Sequence, residues 1–287
     1  MVAPNSLINY LFYLIFLPSV GGIEGGGTKS FCMSLIKTSK EIETLREGGR
    51  ILGEVLALVA SAVRPGLITW KLEEIARREI KSRGAEPSFL GYQNMPGVSP
   101  FPAALCVSIN QEVVHCFPSK KRALREGDIV GLDLGVKYKN LYTDAAVSAS
   151  VGKIGKLQQK LLDNTREALA AGIKQARAGN TIGDIAHAIE SVAKKGGFTP
   201  IRDLVGHGVG HEVHEDPYVP NYGRAGTLEK LRLGMVLAIE PMFTTGGHHA
   251  VFQDNTWGVE TADGSLAAHF EHTVAITEKG PLILTKV

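Results

Sequence analysis

Apolar residues at Ile42, Leu45, Ile51, Leu52, Val55, Leu56 and Val59 fall mostly at helical spacing, which predicts an amphipathic helix over residues 39–63. Thr38 or Ser39 is placed to cap its start, and Arg64-Pro65-Gly66 ends it. The same spacing predicts a second helix over 69–83, closed by Gly84. The period then changes. Short apolar runs at 105–109, 128–136 and 142–147 predict buried strands, while the Gly- and Pro-rich stretch 91–104 (GYQNMPGVSPFPAA) reads as loop. Beyond this point the order repeats, with helices over 157–177 and 182–195 and strands over 235–240 and 269–276. The offset of 113 residues that carries Gly66 onto Gly179 also carries Leu72 onto Ile185, Ile75 onto Ala188 and Gly84 onto Gly197. Any two amphipathic helices look alike at this level. The matched lengths of the two helix pairs are what favour a chain built of two related halves.

Composition narrows the class without naming a chemistry. A chain of 287 residues, 44% hydrophobic and 21% charged, is long enough for one large domain or two small ones and has an ordinary globular balance. With 31 basic against 29 acidic residues it lacks the basic excess of a dedicated nucleic-acid binder. Cys32, Cys106 and Cys116 leave one thiol over after any pairing and show no CxxC spacing, which points to reduced thiols in the cytoplasm. The apolar run 7–17 (LINYLFYLIFL) is too short to span a bilayer, and no Lys or Arg precedes Lys29 as a secretory signal would require. Regular patterning starts only past Met33. Residues 1–33 therefore read as an extension, an over-long start being favoured over an anchor or an ordered arm, and 34–287 as the domain.

Five residues sit where a plain core would not put them. Asp133 lies within IVGLDLGV and Asp144 within LYTDAAV. A hairpin centred between Tyr138 and Lys139 would set these two aspartates directly opposite one another. Opposed like charges destabilise a ladder, and an unpaired buried carboxylate costs more still, so a cation or a shared proton is needed between them. Glu240 ends the apolar run MVLAIE, Glu271 lies inside HFEHTVAIT, and His207 opens the run HGVGHEVHEDP with its three histidines. Each alone is explicable as a hydrogen-bonded or ion-paired core residue; the set together points to metal. Carboxylate oxygen and neutral imidazole suit Mn, Fe, Co or Zn. Bridging carboxylates imply two ions, an arrangement that activates water and polarises a carbonyl. His211, four residues after His207, mimics a helical metal pair, but the surrounding glycines argue against helix and for a structural role. His248-His249 reads as supporting or solvated rather than ligating.

The segments SINQEVVHCFP, GLDLGV, YTDAAV, GHGVGHEVHEDP, IEPM and FEHTVAIT, in this order, resemble the signature segments of type I methionine aminopeptidases over about 34–287. The resemblance implies the α+β pita-bread fold, a pseudo-twofold duplication with an antiparallel sheet core flanked by helix pairs. It implies that Asp133, Asp144, His207, Glu240 and Glu271 hold two divalent ions (Co, Mn, Fe or Zn), with Asp144 and Glu271 touching both. His115 and His214 would contact the substrate backbone, Glu240 would carry the proton, and Cys106 with Trp257 would line the methionine pocket. The implied activity is removal of the initiator methionine from nascent polypeptides with a small second residue, by a cytoplasmic monomer working near the ribosome. Four features depart from the family pattern: the longer 91–104 loop, Cys116 where glycine usually follows the catalytic histidine, His211 at a position often filled by other residues, and the pair His248-His249. Prolidase-like relatives carry a large N-terminal domain for which 1–32 leaves no room, and type II enzymes insert a subdomain between two glutamates that here stand close. A non-catalytic relative would have lost ligands, and all five are present.

Overall fold

The computed structural model describes residues 35–93, 97–254 and 257–286. The apolar run 7–17, Cys32 and Met33 lie outside them. Thr38, not Ser39, caps the first helix. Its hydroxyl accepts from the Glu41 N–H while the Glu41 carboxylate accepts from the Thr38 N–H at 2.7 Å, a reciprocal box that satisfies two otherwise unpaired donors. Thr181 and Asp184 repeat this device in the second half. The first half runs α1 (Ser39–Ser61), α2 (Trp70–Ser82), β1 (Glu86–Pro87), β2 (Leu105–Ile109), β3 (Glu112–Val114), β4 (Ile129–Tyr138) and β5 (Leu141–Ser150). The second runs α3 (Lys156–Gln175), α4 (Ile182–Gly196), β6 (Thr199–Pro200), β7 (Val205–Gly208), β8 (Glu215–Pro220), β9 (Val236–Ile239) and β10 (Met242–Thr244). It closes with β11 (Ala250–Phe252), β12 (Val259–Thr261), β13 (Ala267–His269), β14 (His272–Thr277) and β15 (Gly280–Ile283).

The duplication read from helix spacing extends to the backbone. The same offset carries β1 onto β6, and the isolated bridge made by Ile68 onto the one made by Thr181. Gly84 and Gly197, which end α2 and α4, share a left-handed φ of +70° and +76°, a conformation open to glycine at little steric cost. Each half has its own apolar core. Leu52, Val55, Leu72 and Ile80 of α1 and α2 pack on Leu105, Leu132 and Leu134. Leu161, Ile182, Ile185 and Ile189 of α3 and α4 pack on Leu237, Ile239 and Val274. The sheets are antiparallel: β4 pairs with β1, β2 and β5, while β15-β14-β9-β7-β8 make a five-stranded sheet. No helix among the described residues is long and apolar enough to cross a membrane.

Two expectations need correction. The β4–β5 turn is Lys139-Asn140, one residue later than the hydrophobic pattern suggested. Both residues have positive φ (+48° and +64°), as a two-residue I′ turn requires, and Asn tolerates that conformation better than Tyr138 would. Asp133 therefore faces Ala146 and Asp144 faces Gly135, so the aspartates are diagonal neighbours on one face instead of a direct pair. The run 269–276 is also not one strand. The chain leaves a three-stranded sheet after His269 and enters the five-stranded sheet at His272, with Glu271 in the step between. Its neighbour does the reverse, leaving β9 after Ile239 and joining β10 at Met242, with Glu240 in the step. The two glutamates occupy adjacent crossovers between the same two sheets.

Candidate active site

Those crossovers, the shared aspartate face of β4 and β5, and His207 on β7 converge from both halves. Hydrogen bonds fix the convergence. The Thr273 hydroxyl accepts from the Asp144 N–H at 2.8 Å and donates to the Asp144 carbonyl at 2.7 Å, joining β5 to β14. The Glu271 N–H donates to the Ala146 carbonyl at 2.9 Å. One donor atom each from Asp144, His207 and Glu271 falls within a 4.8 Å group, and His207 Nε2 stands 3.5 Å from Glu240 Oε1. His207 Nδ1 lies 2.8 Å from the Gly208 carbonyl, which can only accept. The ring proton is thus on Nδ1 and the Nε2 lone pair is left for a ligand.

The electrostatics of this cluster are unbalanced in the protein alone. Asp133 Oδ1, Asp144 Oδ1 and Glu271 Oε1 are buried without a hydrogen-bond partner among the described residues. Burial pushes the Asp133 carboxyl up to about 6 and that of Glu240 to about 7. Burial, followed by the charges of neighbouring carboxylates, raises Asp144 and Glu271 well above their ordinary range. Orphaned carboxylate oxygens are costly, and a cation among them would relieve both the missing bonds and the mutual repulsion. Oxygen donors with one imidazole nitrogen suit a divalent ion, so the residues present fit one.

The other sequence-derived candidates line the same cleft, which opens to solvent. All nine are there: Asp133, Asp144, His207, Glu240, Glu271, His115, His214, Cys106 and Trp257. His115 follows β3 at φ +59°, an uncommon conformation for a residue with a Cβ. Burial, then the nearby His269 and His207, lowers its pKa to about 4, so the ring is neutral. Burial likewise lowers that of His214, whose ring meets His207 edge-on at 4.4 Å. Cys106 on β2 pairs with Asp133, and burial reinforced by that carboxylate keeps it a thiol. Trp257 donates from Nε1 to the Ser99 carbonyl at 2.8 Å and meets Phe101 edge-on at 5.3 Å.

Several lining residues escaped the sequence reading. Phe89, Tyr92 and Phe101 form the apolar wall with Trp257 and Cys106. Gly91 N–H bonds the Phe101 carbonyl and Phe101 N–H bonds the Tyr92 carbonyl, folding the 91–104 loop inward on its aromatics. Aromatics spaced through a Gly/Pro-rich loop were the available signal. His269 was missed as well: buried, its Nε2 lies 3.4 Å from Glu240 Oε2. Its place two residues before Glu271 was the hint. His211 points elsewhere, its Nε2 2.8 Å from Glu41 at the start of α1. His248 and His249 stack on each other at 4.0 Å, and His249 lies 3.5 Å from Asp203, away from the cleft. Cys116 is buried, with Sγ 3.8 Å from the Gln253 side-chain oxygen.

The model of metallopeptidase family M24 matches residues 43–278. A methionine aminopeptidase of Aquifex aeolicus is 48% identical over 254 residues, covering 87% of this chain and 98% of that protein. Methionine aminopeptidase 1 of Bacillus subtilis is 42% identical, covering 89% and 100%. The crystal structure of a Thermotoga maritima methionine aminopeptidase superposes with a TM-score of 0.84 at 44% identity, covering 88% and 99%. A prolidase from Pyrococcus furiosus, at 23% identity and a TM-score of 0.66, shares the fold, and the chain covers 67% of it. With its family model spanning most of the chain and its relatives matched almost end to end, this chain belongs to metallopeptidase family M24, among the methionine aminopeptidases.

Proposed function

We propose that this protein is a methionyl aminopeptidase that removes the initiator methionine from polypeptides whose second residue is small. One observation carries the reading: a carboxylate–imidazole cluster and a wall of thiol and aromatic side chains share a single cleft. Asp133, Asp144, His207, Glu240 and Glu271 would hold two divalent ions, and the donor set admits Co, Mn, Fe or Zn. Bound there, the ions supply Lewis acidity and an activated water.

The rest is the work of the chain's own groups. Cys106, Tyr92, Phe101 and Trp257 accept a flexible thioether side chain, for which thiol and aromatic surfaces are chemically apt. Glu240, at the edge of the cluster, takes a proton at attack and returns it to the leaving amine. His115 and His214, kept neutral, offer N–H donors to the first peptide carbonyl and amide as charge develops. The unit responsible is residues 34–287, acting as a cytoplasmic monomer on nascent N-termini near the ribosome, without contacting nucleic acid itself.

The test compares Met-Ala-Ser, Met-Leu-Ser and Ala-Pro-Ala peptides under added Mn, Co, Fe or Zn. Metal-dependent cleavage of Met-Ala-Ser alone is expected. Equal cleavage of Met-Ala-Ser and Met-Leu-Ser would remove the claim about the second residue, and preference for Ala-Pro-Ala would replace the assignment with a prolidase-like one.

A further inference from the structure

The Tyr92 hydroxyl lies 2.8 Å from His214 Nδ1, and the two rings sit 5.4 Å apart. This hydroxyl is held in place. Tyr92 N–H bonds the Phe89 carbonyl at 2.9 Å, and its own carbonyl accepts from Phe101 at 2.8 Å. Trp257 packs on the same ring at 6.4 Å and is tied to the loop through Ser99. A neutral imidazole has one N–H and one lone pair, and the partner of one nitrogen decides which the other presents. The phenol has a single O–H to place, and the Nδ1 lone pair lies within its reach. With Nδ1 accepting, the imidazole proton must sit on Nε2.

We propose that Tyr92 is a positioning residue that fixes His214 as its Nε2–H tautomer, so that this histidine presents a donor and not a lone pair to the substrate. This rests on the reading of His214 as a group that contacts substrate. The opposite polarity, His214 Nδ1–H donating to the phenol oxygen, would leave Nε2 a lone pair. It would then be unable to donate to a carbonyl oxygen gaining charge.

Full-length protein with ¹⁵N-labelled histidine, metal-free and zinc-loaded, reports the tautomer through its imidazole nitrogen–proton correlations, with His214 identified by its absence in His214→Ala. The wild type is expected to show a protonated Nε2 and an unprotonated Nδ1. Tyr92→Phe should give a mixture of tautomers, with kcat for Met-Ala-Ser lower by about 10-fold and KM changed by less than about twofold. A wild-type spectrum with the proton on Nδ1 overturns the proposal, and so does a Tyr92→Phe spectrum identical to wild type. A rise in KM with unchanged kcat overturns it too, reducing Tyr92 to a wall of the side-chain pocket. The wild-type spectrum decides even if the variant does not fold. Unimpaired turnover in His214→Ala would instead overturn the catalytic reading of that histidine, and with it the purpose given to Tyr92.

Discussion

His207, His211 and His214 share one short glycine-rich run yet meet three different environments. His207 points a lone pair at buried carboxylates, His211 reaches a surface glutamate on α1, and His214 rests between Tyr92 and His207. Their alanine variants should therefore separate. His207→Ala is expected to lose both bound metal and activity. His214→Ala should keep its metal while turnover falls on the order of 10²–10³, the cost of losing a preorganised donor. His211→Ala gives up a half-exposed contact with Glu41 and should cost at most about 1 kcal/mol of stability, with metal and turnover near wild type. Metal stoichiometry and turnover measured on all three decide it. If His211→Ala strips the metal while His207→Ala retains it, the roles assigned along the run are wrong. Chemistry at this scale is legible in sequence when a polar residue breaks an apolar run, as Asp133 and Glu271 do. Tyr92 and Phe101 were harder, since glycine and proline announce that a loop turns but not which aromatic it folds inward.

Elements place these residues, and the link from α2 to β2 shows how. Glu73 is fully buried on α2 and accepts from the N–H groups of Ala104 and Leu105, each at 2.9 Å, while also pairing with Arg77. Arg77 in turn donates to the Pro102 carbonyl at 3.1 Å. One helix turn thus anchors the end of the rim loop and the start of the strand that carries Cys106 opposite Asp133. Glu73→Ala would leave two backbone donors without their acceptor and should destabilise the protein by about 3 kcal/mol, as hydrogen bonds to a charged group are lost. Denaturant unfolding checks this, and a loss under about 1 kcal/mol would show that water or a neighbour replaces the carboxylate. The helices were readable from periodicity and caps to within a residue or two. The β4–β5 register was not, because it depends on which pair of residues tolerates positive φ. Nor was the break at Glu271: the apolar pattern of 269–276 runs through it, and the change of sheet is made by partners distant in sequence.

At the scale of the molecule, the duplication explains why so many ionisable groups can be buried together. The first half contributes Asp133 and Asp144, the second His207, Glu240 and Glu271, and the two apolar cores lie to either side. This predicts how stability depends on pH and metal. Asp133, Asp144, Glu240 and Glu271 have raised pKa values in the fold, chiefly by burial, so they stabilise it at low pH and lose that contribution as pH rises through their folded values. His115, His214 and His269 are shifted the other way, again chiefly by burial. Their contribution is present above 6.5 and is lost as pH falls towards the folded value, about 4 for His115. Below 6.5 the two groups oppose one another. Above it the imidazoles are neutral whether folded or unfolded, and the carboxyls alone titrate. The metal-free protein should therefore lose stability as pH rises above about 6.5, with a slope of about 1.4 kcal/mol per pH unit for each proton the fold still holds. Manganese should reverse that trend, because an ion takes the place of the protons and its binding strengthens as they leave. Thermal unfolding of metal-free and manganese-saturated protein across this range should show the gap in Tm widening as pH rises. A gap that stays constant or narrows would mean that these four carboxyls are not the proton-linked ligands of the ion, whatever the activity of the loaded enzyme.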